Sequence, residues 1–293
     1  MMITNSTEML QAARQGGYAV PAFNANNLEW VKAILQAAQK TNSPVIVQVT
    51  GGAAKYMGSF KVAHDLIVNL HDALNITVPV AIHLDHGAYL ETQEALAAGF
   101  TSIMFDGSSL DIDDNLVQTT KLAVQLHARD VTLEGEVGTI GGEEDGIVAQ
   151  GEIAPVEDAV RMAESGVDML AVGIGNIHGP YPDDWQGLDF DHLRTITAAI
   201  KNKMAIDMPL VLHGGSGIPD DQIQEAIKLG VAKINVNTEG QLAFHDAIRA
   251  FVLADKDLEG KNYDPRKFLL PGTNAIEDMC VERIHVFGSN GKA

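Results

Sequence analysis

Three segments of the chain carry a histidine just after an apolar run: VAIHLDHG at 80–87, NIHG at 176–179 and LHGG at 212–215. A neutral imidazole is a nitrogen donor that suits zinc, and three of them meeting at one place leave a fourth position open to a substrate. His86, His178 and His213 are therefore candidate metal ligands. Within VAIHLDHG, period-two alternation puts His83 and Asp85 on one strand face and Ile82, Leu84 and His86 on the other. The three polar groups cannot be equivalent, and alternation alone leaves open which of them does chemistry.

For the histidines to converge, the segments must end on one rim. Val- and Ile-rich runs recur at 18–24, 44–50, 79–85, 101–107, 131–138, 169–175, 209–215 and 233–239. Between them lie helical patterns such as NLEWVKAILQAAQK and PDDQIQEAIKLG, with apolar residues three and four apart. Eight strands alternating with helices in about 240 residues fit a (β/α)8 TIM barrel, whose active site lies at the C-terminal strand ends. No GxGxxG follows the first strand, which removes the main support for a dinucleotide-binding sheet. The expected organisation is one domain over 1–293, with the barrel at about 15–255 and a C-terminal helical extension at about 256–293. The extension is expected beside the barrel or against a neighbouring subunit.

Rim position and the partner histidines favour His86 as the ligand, leaving His83 to packing or to hydrogen bonding behind a ligand. Asp106 and Glu136 end the fourth and fifth strands, where either holds a second cation or orients a ligand histidine through its other ring nitrogen. The remaining histidines fall in or near helices. The glycine-rich acidic segment GTIGGEEDGIVAQGEIAP, 138–155, suits a lid that carries Glu143 and Glu144 toward the site. HGGSGIPDDQI after strand seven and NVNTEG after strand eight match the usual phosphate loops of such barrels, where backbone amides and a helix N-terminus receive an anion. A Schiff-base mechanism needs an inward lysine at a strand end. Lys233 is expected at the opposite rim and Lys55 in a loop, so neither serves.

The chain has 39 acidic and 20 basic residues and a formal charge of −19, which disfavours nucleic acid or an anionic membrane as main partner. A single cysteine, Cys280, excludes an intrachain disulfide and reads as a small buried hydrophobe. With no leader-like segment, the expected compartment is cytoplasmic.

LDHG, GEVGTIGGEEDG, GIGNIHGPYP, VLHGGSGIP, KINVNTE and YDPRKF together resemble the class II, metal-dependent fructose-1,6-bisphosphate aldolases. The resemblance implies reversible aldol cleavage of fructose 1,6-bisphosphate to dihydroxyacetone phosphate and glyceraldehyde 3-phosphate, in glycolysis and gluconeogenesis. It implies Zn2+ on His86, His178 and His213, with Asp106 and Glu136 as candidates for a second divalent ion, and a monovalent cation as a further cofactor candidate. On the same resemblance, Asp85 is expected to exchange the C4-oxygen proton, Glu144 to move a proton at the ketose-derived carbon, and Asn235 to hydrogen-bond the enediolate. Gly179, Gly214, Gly215, Ser216 and the turn Asn235, Val236, Asn237 and Thr238 receive the dihydroxyacetone phosphate end. Thr50 stands where relatives place a serine against the aldehyde portion, and Asn237 where some have aspartate. The resemblance further implies that Arg266 reaches the other phosphate, in a partner subunit's site of an expected homodimer or homotetramer. Tagatose-1,6-bisphosphate cleavage and a noncatalytic sugar-phosphate-binding barrel are the alternatives.

Overall fold

The computed structural model describes residues 3–144 and 147–293. Eight parallel strands close into a barrel: Val20–Asn24, Val45–Thr50, Val80–Gly87, Ser102–Phe105, Thr132–Val137, Met169–Val172, Leu210–Leu212 and Val231–Val236. They coincide with the eight apolar runs to within a few residues: Val80–Gly87 continues two residues past its run, Val231–Val236 begins two residues before its run, and the others are shorter than theirs.

Each strand is followed by a helix whose apolar stripe covers it. Leu28–Thr41 shows how local sequence sets the boundaries: Asn27 accepts from the amides of Glu29 and Trp30 at the start, and Asn42 closes the end with a left-handed φ of 50°. The larger core lies between strands and helices, and includes Phe23, Val47, Ile82, Ile103, Leu133 and Leu170. A smaller core fills the lower barrel interior, where Val20, Ile46 and Met169 meet Met9 and Leu10 of the N-terminal helix Thr7–Gly16. That helix plugs the floor, and the Ser6 hydroxyl preceding it lies 2.8 Å from that of Thr132 and 3.3 Å from that of Ser102.

The C-terminal helix Leu270–Phe287 packs beside the barrel against Leu28–Thr41 and Thr238–Leu253. Gly272 permits this, since a Cβ there would lie 2.4 Å from the Phe244 ring. The extension therefore has its core partner within its own chain. Cys280 sits fully inside this contact, and burial pushes its thiol well above the ordinary range. In native protein Cys280 is expected to resist a thiol-specific chromogenic reagent and to react fully on unfolding; rapid stoichiometric reaction of the folded protein would contradict this packing.

Candidate active site and metal centre

The third strand carries the decisive irregularity. His83 and Asp85 point into the barrel, as alternation requires, and both are buried. His86 should then point outward, but its φ is +50°, and the register with the fourth strand shifts between Leu84 and Gly87. A left-handed non-glycine residue costs on the order of 1–3 kcal/mol, so surrounding contacts must hold it. The Nδ1 of His86 donates to Asp106 Oδ2 at 2.8 Å, and its backbone amide lies 3.4 Å from Met104 Sδ. The bulge places Asp85 and His86 in succession at the mouth. Asp85 lines the lobe toward the glycine loops, and His86 the lobe toward Gly51 and Asp106.

His178 lies in the short strand Ile177–His178, and His213 follows the seventh barrel strand. Gly214 brings the two segments together: it has φ +65°, and a Cβ there would fall 1.9 Å from the Ile177 carbonyl oxygen. The Tyr181 hydroxyl donates to the Gly214 carbonyl at 2.8 Å and accepts from the Ile177 amide at 3.1 Å. Asn176 Nδ2 donates to the His213 carbonyl at 3.0 Å. Ligand nitrogens of His86, His178 and His213 consequently lie within 4.8 Å of one another.

The ring nitrogens at this cluster fit a metal. His213 Nε2 donates to Glu134 Oε1 at 2.8 Å, and Asp106 takes the Nδ1 proton of His86. This leaves the His213 Nδ1 lone pair facing His86 Nε2 at 2.9 Å, where the proton of the charged His86 bridges the two rings and a bound metal ion would take that proton's place. Burial lowers His178 to a pKa of about 4 and drives His213 well below the usual histidine range, helped in both by the charge of His86. Both are therefore neutral donors at pH 7. Burial opposes the charge on His86, but Asp85, Asp106 and Glu136 outweigh it and raise its pKa to about 10. The same negative field attracts a metal ion.

Asp106, Glu136 and His86 form a second group with ligand atoms equally close. Glu136 is pushed up to about 8 by burial and by the neighbouring Asp106, and its Oε2 is buried with no hydrogen-bond partner. Asp85 has the opposite setting. Burial raises its pKa, but the neighbouring His86, His213 and Lys233 and the hydrogen bond from the Asn24 amide reverse the shift and hold it below the ordinary range. Amides from Asn24, Gln48 and Asn235 donate to it at 2.9, 3.1 and 3.1 Å.

Lys233 requires a correction. It does not start the last strand at the opposite rim: the strand begins at Val231, and the Lys233 side chain is fully buried inside the barrel. Its ammonium donates to Glu134 Oε2 at 2.8 Å and lies 3.4 Å from His83 Nε2, while His83 Nδ1 donates to the Ser102 hydroxyl at 2.7 Å. Lys233 is thus the counter-ion of the carboxylate behind His213. His83 belongs to the same column, in the hydrogen-bonding role left to it by its depth.

Among the residues expected to receive a phosphate, Gly179, Gly214, Ser216, Asn235, Asn237 and Thr238 line one lobe together. Gly215 stands behind them and donates its amide to the Asn235 carbonyl at 2.9 Å, while the Val236 side chain turns into the core. The other lobe encloses about 480 Å³ between Gly51, Gly52, Ser108 and Glu136. Thr50 caps the helix Gly51–Met57 by accepting from the Ala53 amide, so its oxygen serves that turn. Arg266 is not brought to the site within one chain: it is exposed and paired with Asp264.

The acidic segment forms a hairpin rather than a loop. Gly141–Glu144 pairs antiparallel with Ile147–Ala149 and parallel with Ile177–His178. Gly142, at φ +92°, permits that approach, since a Cβ would lie 2.0 Å from the His178 carbonyl oxygen. The side chains of Glu143 and Glu144 lie outside the described residues. Glu134, Asn24, Gln48 and Tyr181 are the site residues that the sequence reading missed. The one sequence signal for Glu134 is a carboxylate on the inward face of an apolar strand, two residues before Glu136.

Residues 4–292 match the family described as fructose-bisphosphate aldolase class-II. The chain belongs to that family. It is 56% identical to fructose-bisphosphate aldolases of Streptococcus pyogenes serotype M1 and Streptococcus pneumoniae serotype 4, and 50% identical to that of Mycoplasma pneumoniae, each over the full length of both chains. Among solved structures it is similar to the YdjI aldolase of Escherichia coli K12, at TM-score 0.81 and 29% identity over 100% of each chain. Fructose-bisphosphate aldolase of Campylobacter jejuni matches at TM-score 0.81 and 27% identity, over 98% of this chain and 95% of that one. In this aldolase the Glu134–His213 contact is expected to set metal affinity. Glu134→Gln removes the charge that both orients His213 and neutralises Lys233, and should weaken zinc binding roughly 10- to 100-fold in competition with a chromophoric chelator. Unchanged affinity would contradict that role.

Proposed function

We propose that this class II aldolase carries out the reversible cleavage of fructose 1,6-bisphosphate to dihydroxyacetone phosphate and glyceraldehyde 3-phosphate, as an enzyme of glycolysis and gluconeogenesis. The observation that carries the reading is the position of Asp85, beside a three-histidine cluster and on the wall of the lobe formed by the glycine loops. A zinc ion held by His86, His178 and His213 supplies Lewis acidity toward the carbonyl and hydroxyl oxygens of the ketose when bound. Asp106 and Glu136 serve as ligands of a second divalent ion, and a monovalent cation completes the cofactor set.

The chain's own groups divide the remaining work. Backbone amides around Gly179 and Gly214, with the Ser216 hydroxyl and the Asn235 to Thr238 turn, bind the dihydroxyacetone phosphate end, and Gly215 supports them from behind through its bond to the Asn235 carbonyl. Ionised Asp85, fixed by three amides, takes the C4 hydroxyl proton as the C3–C4 bond breaks. The bonding electrons pass to the ketose fragment, and Asn235 donates a hydrogen bond to the enediolate so formed. Glu144 returns a proton to the ketose carbon, and the hairpin that carries it acts as the lid. Thr50 contacts the aldehyde portion through its hydroxyl hydrogen. Arg266 binds the far phosphate in the site of a partner subunit, in a cytoplasmic homodimer or homotetramer.

Side-by-side cleavage of fructose and tagatose 1,6-bisphosphates tests both substrate and base. The wild-type protein should prefer fructose bisphosphate, and Asp85→Asn should keep its zinc and still bind dihydroxyacetone phosphate while cleavage falls roughly 10²- to 10⁴-fold. A large preference for tagatose bisphosphate would overturn the substrate assignment, and undiminished turnover of Asp85→Asn the role of the base.

A further inference from the structure

The phosphate lobe has an electrostatic difficulty. The lobe lined by Gly179, Gly214, Ser216, Asn237 and Thr238 has no lysine or arginine among its described lining residues. The helices that open directly behind its two loops begin with acids: Asp220 and Asp221 in Asp220–Lys228, and Glu239 in Thr238–Leu253. Acidic side chains in a first turn satisfy the helix dipole themselves and repel an incoming anion.

Arg283, on the C-terminal helix, meets both. Its Nη1 donates to Asp220 Oδ1 at 2.9 Å, and its Nε lies 3.4 Å from Glu239 Oε1. Nη2 donates to Glu282 Oε1 at 3.1 Å. The guanidinium side chain is only 9% exposed, so its attraction to these carboxylates is weakly screened. Glu239 is wired to the lobe itself, because its backbone amide donates to the Ser216 hydroxyl at 3.1 Å. One cation on the extension thereby bridges the starts of two helices that are neighbours in space but belong to different βα units.

We infer that Arg283 is a positioning residue for phosphate: it offsets part of the negative charge of Asp220 and Glu239 and holds their helix starts together, so that both glycine loops present their amides to one anion. It does so without touching the ligand. A guanidinium suits the task because its planar fork addresses several carboxylates at fixed angles, which an ammonium cannot reproduce. The inference rests on the assignment of this lobe to the dihydroxyacetone phosphate end.

The test compares zinc-loaded wild type, Arg283→Met and Arg283→Lys for binding of dihydroxyacetone phosphate, inorganic phosphate and unphosphorylated dihydroxyacetone, alongside KM and kcat for fructose 1,6-bisphosphate. Arg283→Met should bind the two phosphates roughly tenfold more weakly, a factor equivalent to ~1.4 kcal/mol. Its zinc content, its affinity for dihydroxyacetone and its kcat should remain close to wild type, so that the loss falls on KM. Arg283→Lys should recover part of the phosphate affinity. Wild-type phosphate affinity in folded, zinc-loaded Arg283→Met would overturn the inference, as would equal weakening for dihydroxyacetone. If Arg283→Met does not fold, Arg283→Lys decides alone: phosphate affinity below wild type with dihydroxyacetone binding intact supports the role, and unchanged phosphate affinity overturns it. Failure of the wild type itself to bind either phosphate would instead overturn the assignment of the lobe.

Discussion

A buried carboxylate, Glu134, holds the arrangement together. It accepts from His213 on one oxygen and from Lys233 on the other, inside a barrel where neither charge reaches water. An isolated buried anion would cost several kcal/mol, and so would the lysine, which makes each dependent on the other. From this pair a polar column runs down through His83 and Ser102 to Ser6 under the N-terminal helix. Upward it fixes the proton of His213 on Nε2, turning Nδ1 toward His86. The geometry at the mouth is thus set from below, by groups that never meet a substrate.

The second constraint is the bulge at His86. Regular alternation would have sent either Asp85 or His86 out of the barrel. The left-handed backbone at His86 delivers both to the mouth, and Asp106 and Glu136 supply the field that keeps the imidazole there. Two adjacent residues can then face two lobes of one cleft, a carboxylate toward the glycine loops and an imidazole toward the larger cavity.

The fold was legible because the eight apolar runs and the helical periodicity between them are local signals. The clustering of the three histidines was legible from their positions at strand ends, and the lobe beside them from the glycines following strands seven and eight. What stayed hidden depends on contacts across the barrel. Lys233 sits third in its strand, and its inward burial follows only from Glu134 on the far side. Asn24 and Gln48 look like ordinary polar residues until their amides meet at Asp85. Alternation correctly paired His83 with Asp85 but had no means of anticipating the positive φ one residue later. Among the described residues Arg266 pairs locally with Asp264, so its proposed role depends on a second subunit. Arg283 carried no motif at all; its meaning lies in two helix starts, 63 and 44 residues earlier in the chain. The extension that follows the barrel is thereby tied to the two helix starts behind the glycine loops.

The central claim is that a metal ion held by His86, His178 and His213 is required for cleavage while the surrounding residues only position and transfer protons. Fructose 1,6-bisphosphate cleavage by chelator-stripped protein, followed during titration with zinc, tests it directly. Activity should fall to background on stripping and return in proportion to zinc until about one equivalent per chain is bound. Full turnover by protein shown to be metal-free would contradict the account.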